Sequence, residues 1–360
     1  NENIELIQVA YTGENYPYAE PLEGGRQPKF YDVIVDLCND LLAETQAVRP
    51  RTPWPPFLPT HMTLADPLSD GYLEPATLPL ITLGQAAPDP LALNPWTRRW
   101  LEGAGQWPGV NWSTTAMRGI VGLLDDPYNA RQMPLLVDFS KGHAVLFGAS
   151  GYGKTVFVRT LIASLASSHS PDEFQAHVLD LGGRNLEALT ALPHVGTVIL
   201  PDEAGYEERV QQLLRELNDL IDLRKRKFAE AGVSTLFEYN ELGDRPIEPA
   251  ILLVVDNFAE FLETFGNPNE AEDETNALFA FVALARQAKA FGLHVLITAN
   301  RFNTLSNKLF SLFSERFTLR LSDAGDYAAI VGSTYEVEEQ PGRGAVRVGR
   351  MPLSFQTALL

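Results

Sequence analysis

Gly148-Ala-Ser-Gly-Tyr-Gly-Lys-Thr155 fits G-x-x-x-x-G-K-[ST], the spacing of a phosphate-binding loop. Before it, His143–Phe147 is a short apolar run that reads as a buried strand. After it, Val156–Ala166 is apolar-rich and of helical length. Strand, glycine turn and helix start are the context this motif needs, and a chance glycine-rich turn would lack them. Glycines let backbone N–H groups converge on an anion, and a helix N-terminus adds partial positive charge. The candidate phosphate-binding residues are Gly148, Ala149, Ser150, Gly151, Tyr152, Gly153, Lys154, Thr155 and Val156. Lys154 is expected to reach β/γ-phosphates of ATP, and the Thr155 hydroxyl to sit on Mg²⁺.

A second half-site lies downstream. Ile251-Leu-Leu-Val-Val-Asp-Asn257 has the form of a Walker B strand. The apolar run places Asp256 at the carboxyl end of its strand, beside the loop, where it would hold Mg²⁺ through water. Active ATPases of this architecture usually carry a Glu after that Asp, and here the residue is Asn257. Asparagine orients a water but takes no proton from it. Glu260, the nearest carboxylate, reads equally as a helix-start residue. Leu296-Ile-Thr-Ala-Asn-Arg301 is another apolar strand with a polar end. Asn300 is its candidate γ-phosphate sensor, with a structural role as the competing reading. Asp180, before Gly182-Gly183, reads as structural.

Composition narrows the function classes. The chain has 360 residues, a net charge of −18 and one cysteine, Cys38. A lone cysteine excludes an internal disulfide and fits a reducing compartment. Six scattered histidines offer no metal-ligand spacing. An acidic surface repels phosphate backbones, so no nucleic-acid partner is expected. The main basic cluster, Arg224-Lys-Arg-Lys227, reads as a solvated helix face. No apolar run approaches membrane-spanning length, which predicts a soluble chain. It begins Asn-Glu-Asn, which suggests a fragment of something longer.

The chain changes character near residue 134. Seventeen of 25 prolines lie at or before Pro134, with all five tryptophans: Trp54, Trp96, Trp100, Trp107 and Trp112. Prolines block helix interiors, and the aromatics argue for a segment that wraps against a folded surface. One helix, Tyr31–Glu44, is expected within it. Beyond residue 134 strands (143–147, 175–181, 197–200, 251–256, 294–298, 316–321) alternate with helices (154–167, 204–231, 274–291, 305–313). Several strands are continuous apolar runs, as in a sheet covered on both faces. The fold class is therefore α/β, a mainly parallel sheet flanked by helices, with a Pro/Trp-rich N-terminal wrapping segment. Pro268–Thr275 reads as an acidic surface loop. Glu5–Tyr11 echoes Leu353–Leu359, each an apolar strand with a central Gln before a small residue, by design or by chance.

With these elements in place, residues 115–360 resemble the FtsK/SpoIIIE motors, P-loop NTPases of RecA/FtsK-like fold. The resemblance rests on Leu179-Asp-Leu-Gly-Gly183, Leu192-Pro-His-Val-Gly-Thr-Val198, Phe228-Ala-Glu-Ala-Gly-Val233 and Glu238-Tyr-Asn240. Gly122–Leu135, Asp256-Asn-Phe-Ala-Glu260, Thr298-Ala-Asn-Arg301 and Pro341-Gly-Arg-Gly344 are similar to the type VII secretion branch, EccC/EssC. Residues 1–12 then read as the closing strand of a preceding module, 13–114 as a Pro/Trp-rich linker with one helix, and 115–360 as the ATPase module. The resemblance implies ATP and Mg²⁺ as cofactors, Asp256, Asn257 and Asn300 in catalytic positions, and Thr155 and Asp256 around the metal. It implies weak or partner-dependent hydrolysis, because Asn257 departs from the active pattern. Tyr327 and Ala328 likewise stand where active motors carry an Arg; Arg316 and Arg320 read as structural rather than trans-acting. Implied partners are neighbouring ATPase modules of the same chain and small helical secreted proteins that dock a C-terminal tail. Implied location is cytoplasmic, as the soluble part of a membrane-anchored complex, with membrane contact only through other parts. A DNA-translocase motor and a non-hydrolysing ATP-bound module are the rival readings. Tail docking is expected near Leu305–Phe313, whose apolar residues read alternatively as core.

Overall fold

Strands form here on short β-branched and aliphatic runs, and helices where the apolar spacing opens to three and four. The computed structural model describes residues 13–18, 26–45, 55, 57–64, 107, 109–266 and 276–360. The echo at 5–11, Trp54, Trp96, Trp100 and the loop 268–275 lie outside the described residues. The described residues fall into two units, one up to residue 45 and one from residue 55.

In the first unit, helix α1 (Phe30–Thr45) realises the helix expected over 31–44. The Asp32 carboxylate accepts the Lys29 N–H at 3.0 Å, closing its first turn.

The second unit carries strands β1 (Arg118–Asp126), β2 (Arg131–Asp138), β3 (His143–Phe147), β4 (Phe174–Asp180) and β5 (Val195–Ile199). It continues with β6 (Ala250–Asp256), β7 (Leu293–Ala299), β8 (Phe313–Leu319), β9 (Arg343–Val348) and β10 (Met351–Thr357). Its helices are α2 (Lys154–Ser168), α3 (Tyr206–Ala231), α4 (Leu236–Glu241), α5 (Phe258–Phe265), α6 (Ala277–Gln287), α7 (Asn307–Phe310) and α8 (Gly325–Val331). One sheet runs β2-β1-β10-β9-β8-β3-β7-β6-β4-β5. From β8 to β5 all pairings are parallel; β9, β10, β1 and β2 extend it antiparallel. The two-residue period sends Val145 and Phe147 into one core and Ala144 and Leu146 into the other, one on each face. Burial on both faces is why β3, β6 and β7 read as unbroken apolar runs.

Three expectations need correction. The helix expected over 305–313 is one short turn, α7, because Phe313 already begins β8. Leu309, Phe310 and Phe313 are buried in the core, so they offer no docking face. The basic cluster on α3 is not wholly a solvated face: Arg224 is 1% exposed and donates to the carbonyls of Phe291 and Pro249. Lys227 pairs with Glu248. Burial pulls the Arg224 guanidinium below its usual range, and Glu248 opposes that shift.

Parts of the proline-rich segment do wrap the core. Trp107 donates its indole N–H to the Ala166 carbonyl at 2.8 Å. The Trp112 ring meets Phe237 edge-on. Met62 is buried with Leu123 and Ala358, and Thr63 bridges to Leu359 at the end of β10.

Candidate functional site

The loop after β3 is shaped by two left-handed glycines, Gly151 (φ 82°) and Gly153 (φ 102°). The N–H groups of Gly148 and Ala149 donate to the carbonyls of Ala299 and Arg320, tying the loop to β7 and the end of β8. The Gly342 N–H donates to the Tyr152 carbonyl from the other side. Among the described residues, the N–H groups of Gly151, Gly153, Lys154, Thr155 and Val156 have no protein acceptor. These are orphan donors of a loop and a helix N-terminus, concentrated on one concave turn. Lys154 crosses the turn, and its ammonium donates to the carbonyls of Gly148 (2.7 Å) and Ala149 (3.1 Å). Burial holds its pKa below the usual lysine range, and Asp256 partly offsets this. A cation with reduced hydration beside free N–H groups is a ready anion partner.

Parallel pairing puts Asp180 and Asp256 side by side at the carboxyl ends of β4 and β6. Asp256 Oδ1 accepts from the Thr298 hydroxyl at 2.6 Å. The same hydroxyl accepts the Asn257 N–H at 2.9 Å, so one β7 side chain fixes the last residue of β6 and the one after it. Oδ2 lies over Gly182, where an added methyl would stand 2.7 Å from it. Asp180 Oδ2 accepts the Leu186 N–H at 2.7 Å, while its Oδ1 is buried without a partner. Burial raises the pKa of Asp256; the Thr298 hydroxyl opposes it and the Asp180 charge adds to it. Asp180 is raised too, by burial first. Two crowded carboxylates of this kind favour a nearby cation.

Asn257 is left-handed (φ 63°, ψ 66°) at the start of α5, a conformation asparagine tolerates better than most residues. Its amide donates to the Leu181 carbonyl at 3.3 Å. Lys154 of the loop lies near enough to Asp256 to feel its charge, and Asn257 follows Asp256 at the start of α5. Asn300 sits exposed beyond the end of β7, with no partner among the described residues. The polar β7 group that touches Asp256 is Thr298. The signal for it was available: Thr298 is the one hydroxyl inside an otherwise apolar run. Arg316 donates to the Phe313 carbonyl and lies over the Phe310 ring, and Arg320 donates to the Val337 carbonyl. Tyr327 is buried, its hydroxyl accepting the Leu321 N–H. Among the described residues no His/Cys/Asp/Glu group forms a metal cluster, and no helix is long and apolar enough to cross a membrane.

The chain is similar to known proteins over most of its length. The chain is 31% identical over 253 residues to the ESX secretion system protein EccC of Thermomonospora curvata, covering 68% of this chain and 18% of that protein. It is 28% identical over 230 residues to the type VII secretion system protein EssC of Staphylococcus aureus, covering 62% of this chain and 14% of that one. The chain thus spans under a fifth of the length of these relatives. A structure of ATPases 2 and 3 of Thermomonospora curvata EccC, in complex with a signal sequence peptide, superposes with a TM-score of 0.57 at 30% identity. That match covers 68% of this chain and 42% of the other. ATPases 2 and 3 of EssC from Geobacillus thermodenitrificans share the fold, with a TM-score of 0.59, 24% identity and coverage of 70% and 46%. The fold is that of the P-loop ATPase domains of EccC and EssC. The FtsK/SpoIIIE family profile matches residues 111–351, and the chain belongs to that family.

Proposed function

We propose that this chain is a nucleotide-binding module of a type VII secretion ATPase that holds Mg-ATP firmly and hydrolyses it weakly alone. The observation that carries the reading is the turn of unpaired N–H groups at Gly151 and from Gly153 to Val156, with Lys154 across it and Asp256 at the next strand end but one. Those donors would cradle the β-phosphate, and Lys154 would exchange its loop carbonyls for β/γ oxygens. Thr155 and Asp256 would hold Mg²⁺, which when bound neutralises phosphate charge. Asn257 and Asn300 would orient a water at the γ-phosphate without accepting its proton. The module would couple nucleotide state to export of small helical proteins, which dock a C-terminal tail. That part rests on the relatives' names and on the signal peptide bound by one of them. Neighbouring modules of the same chain would complete the site, and the module would work in the cytoplasm.

Mass spectrometry of nucleotide released on denaturation, paired with melting curves in Mg-ATP, tests the reading. Bound nucleotide and a raised melting temperature are expected. A curve unmoved by millimolar Mg-ATP contradicts it. A salt-sensitive DNA complex, with no binding of an export-protein tail, would favour a DNA motor instead.

A further inference from the structure

Pro341-Gly-Arg-Gly344, a stretch that the phosphate site leaves unused, stands between the loop and the proline-rich segment. On the loop side, the Gly342 N–H donates to the Tyr152 carbonyl at 3.0 Å, and the Tyr152 hydroxyl donates to Glu339 Oε1 at 3.2 Å. Gly153 and Gly342, both left-handed, meet there backbone to backbone: a methyl on Gly153 would stand 3.2 Å from the Gly342 nitrogen. On the other side, Gln340 donates to the Thr60 carbonyl at 3.2 Å. Arg343, 5% exposed, donates through Nη2 to the carbonyls of Leu58 (3.2 Å) and Pro59 (3.4 Å). Both acceptors of that nitrogen lie on the segment, so release of the segment would leave a buried guanidinium short of partners. A second tie runs through the end of β10. Leu64 donates its N–H to the Leu359 carbonyl at 2.7 Å, and Leu359 donates its own to the Met62 carbonyl at 2.9 Å. The adjacent Ala358 carbonyl accepts the Thr160 hydroxyl at 2.7 Å, and Thr160 belongs to α2, the helix that the loop starts. The segment is nonetheless lightly held. Of residues 57–64 only Met62 is buried, and Phe57, Thr60, His61 and Thr63 are exposed. Few buried contacts mark the low-stability end of a structure, from which moving elements are drawn.

We propose that residues 57–64 are a strap whose seating is coupled to phosphate on the loop, with Gly342 and Arg343 as the positioning residues between them. The inference rests on the Mg-ATP reading above. Phosphate on the N–H groups of Gly153 and Lys154 fixes the backbone against which Gly342 sits. A turn fixed at Gly342 holds Gln340 and Arg343 where the strap carbonyls meet them. A ligand shifts such an equilibrium only by its differential affinity for the two states, and here the loop is better supported with the strap on. The coupling is reciprocal: nucleotide tightens the strap, and a seated strap tightens the nucleotide by the same factor. A pull on the chain ahead of residue 57 would therefore loosen the hold of this module on ATP.

The test reads affinity and strap exchange on the whole chain, with Mg-ATP and with Mg-tripolyphosphate, which carries neither base nor ribose. Hydrogen exchange at residues 60–64 is expected to slow with either ligand by about fivefold or more, the lower end of usual coupling factors. Leu64→Pro removes the N–H that ties the strap to Leu359, and residue 64 makes no hydrogen bond to the loop or the turn. In calorimetry that variant should weaken both ligands by about fivefold or more. Arg343→Gln should do the same; should it not fold, Leu64→Pro and the exchange rates decide. Exchange unmoved by either ligand, or tripolyphosphate held equally by the natural chain and a folded Leu64→Pro, overturns the strap and leaves the phosphate loop standing. Protection by ATP with none from saturating tripolyphosphate also overturns it, because the path would then bypass the loop. Failure of both ligands to bind the natural chain overturns the Mg-ATP reading and this inference with it.

Discussion

The two ends of the candidate site differ in completeness. At the loop end every feature for anion binding is present: two left-handed glycines, five N–H groups without protein acceptors, and Lys154. At the β6 end Asp256 is in place, but the next residue is Asn257, and its amide is engaged with the Leu181 carbonyl. A fold can keep the part that holds a nucleotide and lose the part that turns it over, because the two are built from different strands. Binding needs donors and a cation at β3; hydrolysis needs a proton acceptor at β6 and an arginine aimed at the γ-phosphate. Arg316 and Arg320 are spent on carbonyls of their own module.

The sharpest way to break this contrast is at the loop. Lys154→Ala should weaken Mg-ATP binding by about 10- to 100-fold, since it removes the one cation within the turn. Titration calorimetry reads this, and an unchanged affinity would mean the loop does not bind phosphate. Next in size is Thr298→Val. It keeps the shape but strips the hydroxyl from Asp256 and from the Asn257 N–H. A stability loss of roughly 1–3 kcal/mol is expected for two buried groups left unpaired. Denaturant melts would show it, and a neutral result would mean that water replaces the hydroxyl.

Asn257→Glu probes the incomplete end. Glutamate in a left-handed conformation costs about 1–2 kcal/mol, so the variant should be less stable. Its turnover should rise less than about tenfold, because a trans-acting arginine, worth on the order of 10³-fold or more, is still missing. A large rise in a steady-state assay would show that Asn257 alone limits the reaction. The smallest effect is expected from Asp180→Asn, which removes the charge beside Asp256. Both aspartates have folded-state pKa values raised, by burial first. A raised acid binds more protons folded than unfolded, so stability falls as pH rises from the unfolded value of 3.8 through the folded one. The substitution should therefore raise the melting temperature at pH 7 by about 2 °C, the scale of under 1 kcal/mol in a chain of this size. The gain should vanish below pH 3.8, and a gain that persists there would mean a cause other than charge.

How much was legible follows from which interactions are local. The loop announced itself because glycine, lysine and threonine act at fixed spacing, and β3, β6 and β7 because both their faces are buried. Of the antiparallel half only β10 was read as a strand, through Leu353–Leu359. In β1, Gly119 and Gly122 interrupt the run, yet Gly122 is demanded by a contact far along the chain: a methyl there would lie 2.0 Å from the Gln356 carbonyl. Residues 305–313 have helical apolar spacing, but Phe313 is claimed by β8 pairing with His143. Arg224 looked like its charged neighbours, and only the carbonyls of Pro249 and Phe291, just ahead of β6 and β7, make it a buried tie.

The central claim is binding without efficient turnover, and one preparation tests it. Affinity for Mg-ATP and single-turnover hydrolysis would be measured on the same sample, with Lys154→Ala beside it. The account predicts saturable binding that the variant loses, and hydrolysis slower than about 10⁻² per second, the range of phosphate-loop enzymes without help from a partner. Turnover on the order of 1 per second or faster by the module alone, abolished in Lys154→Ala, would contradict it.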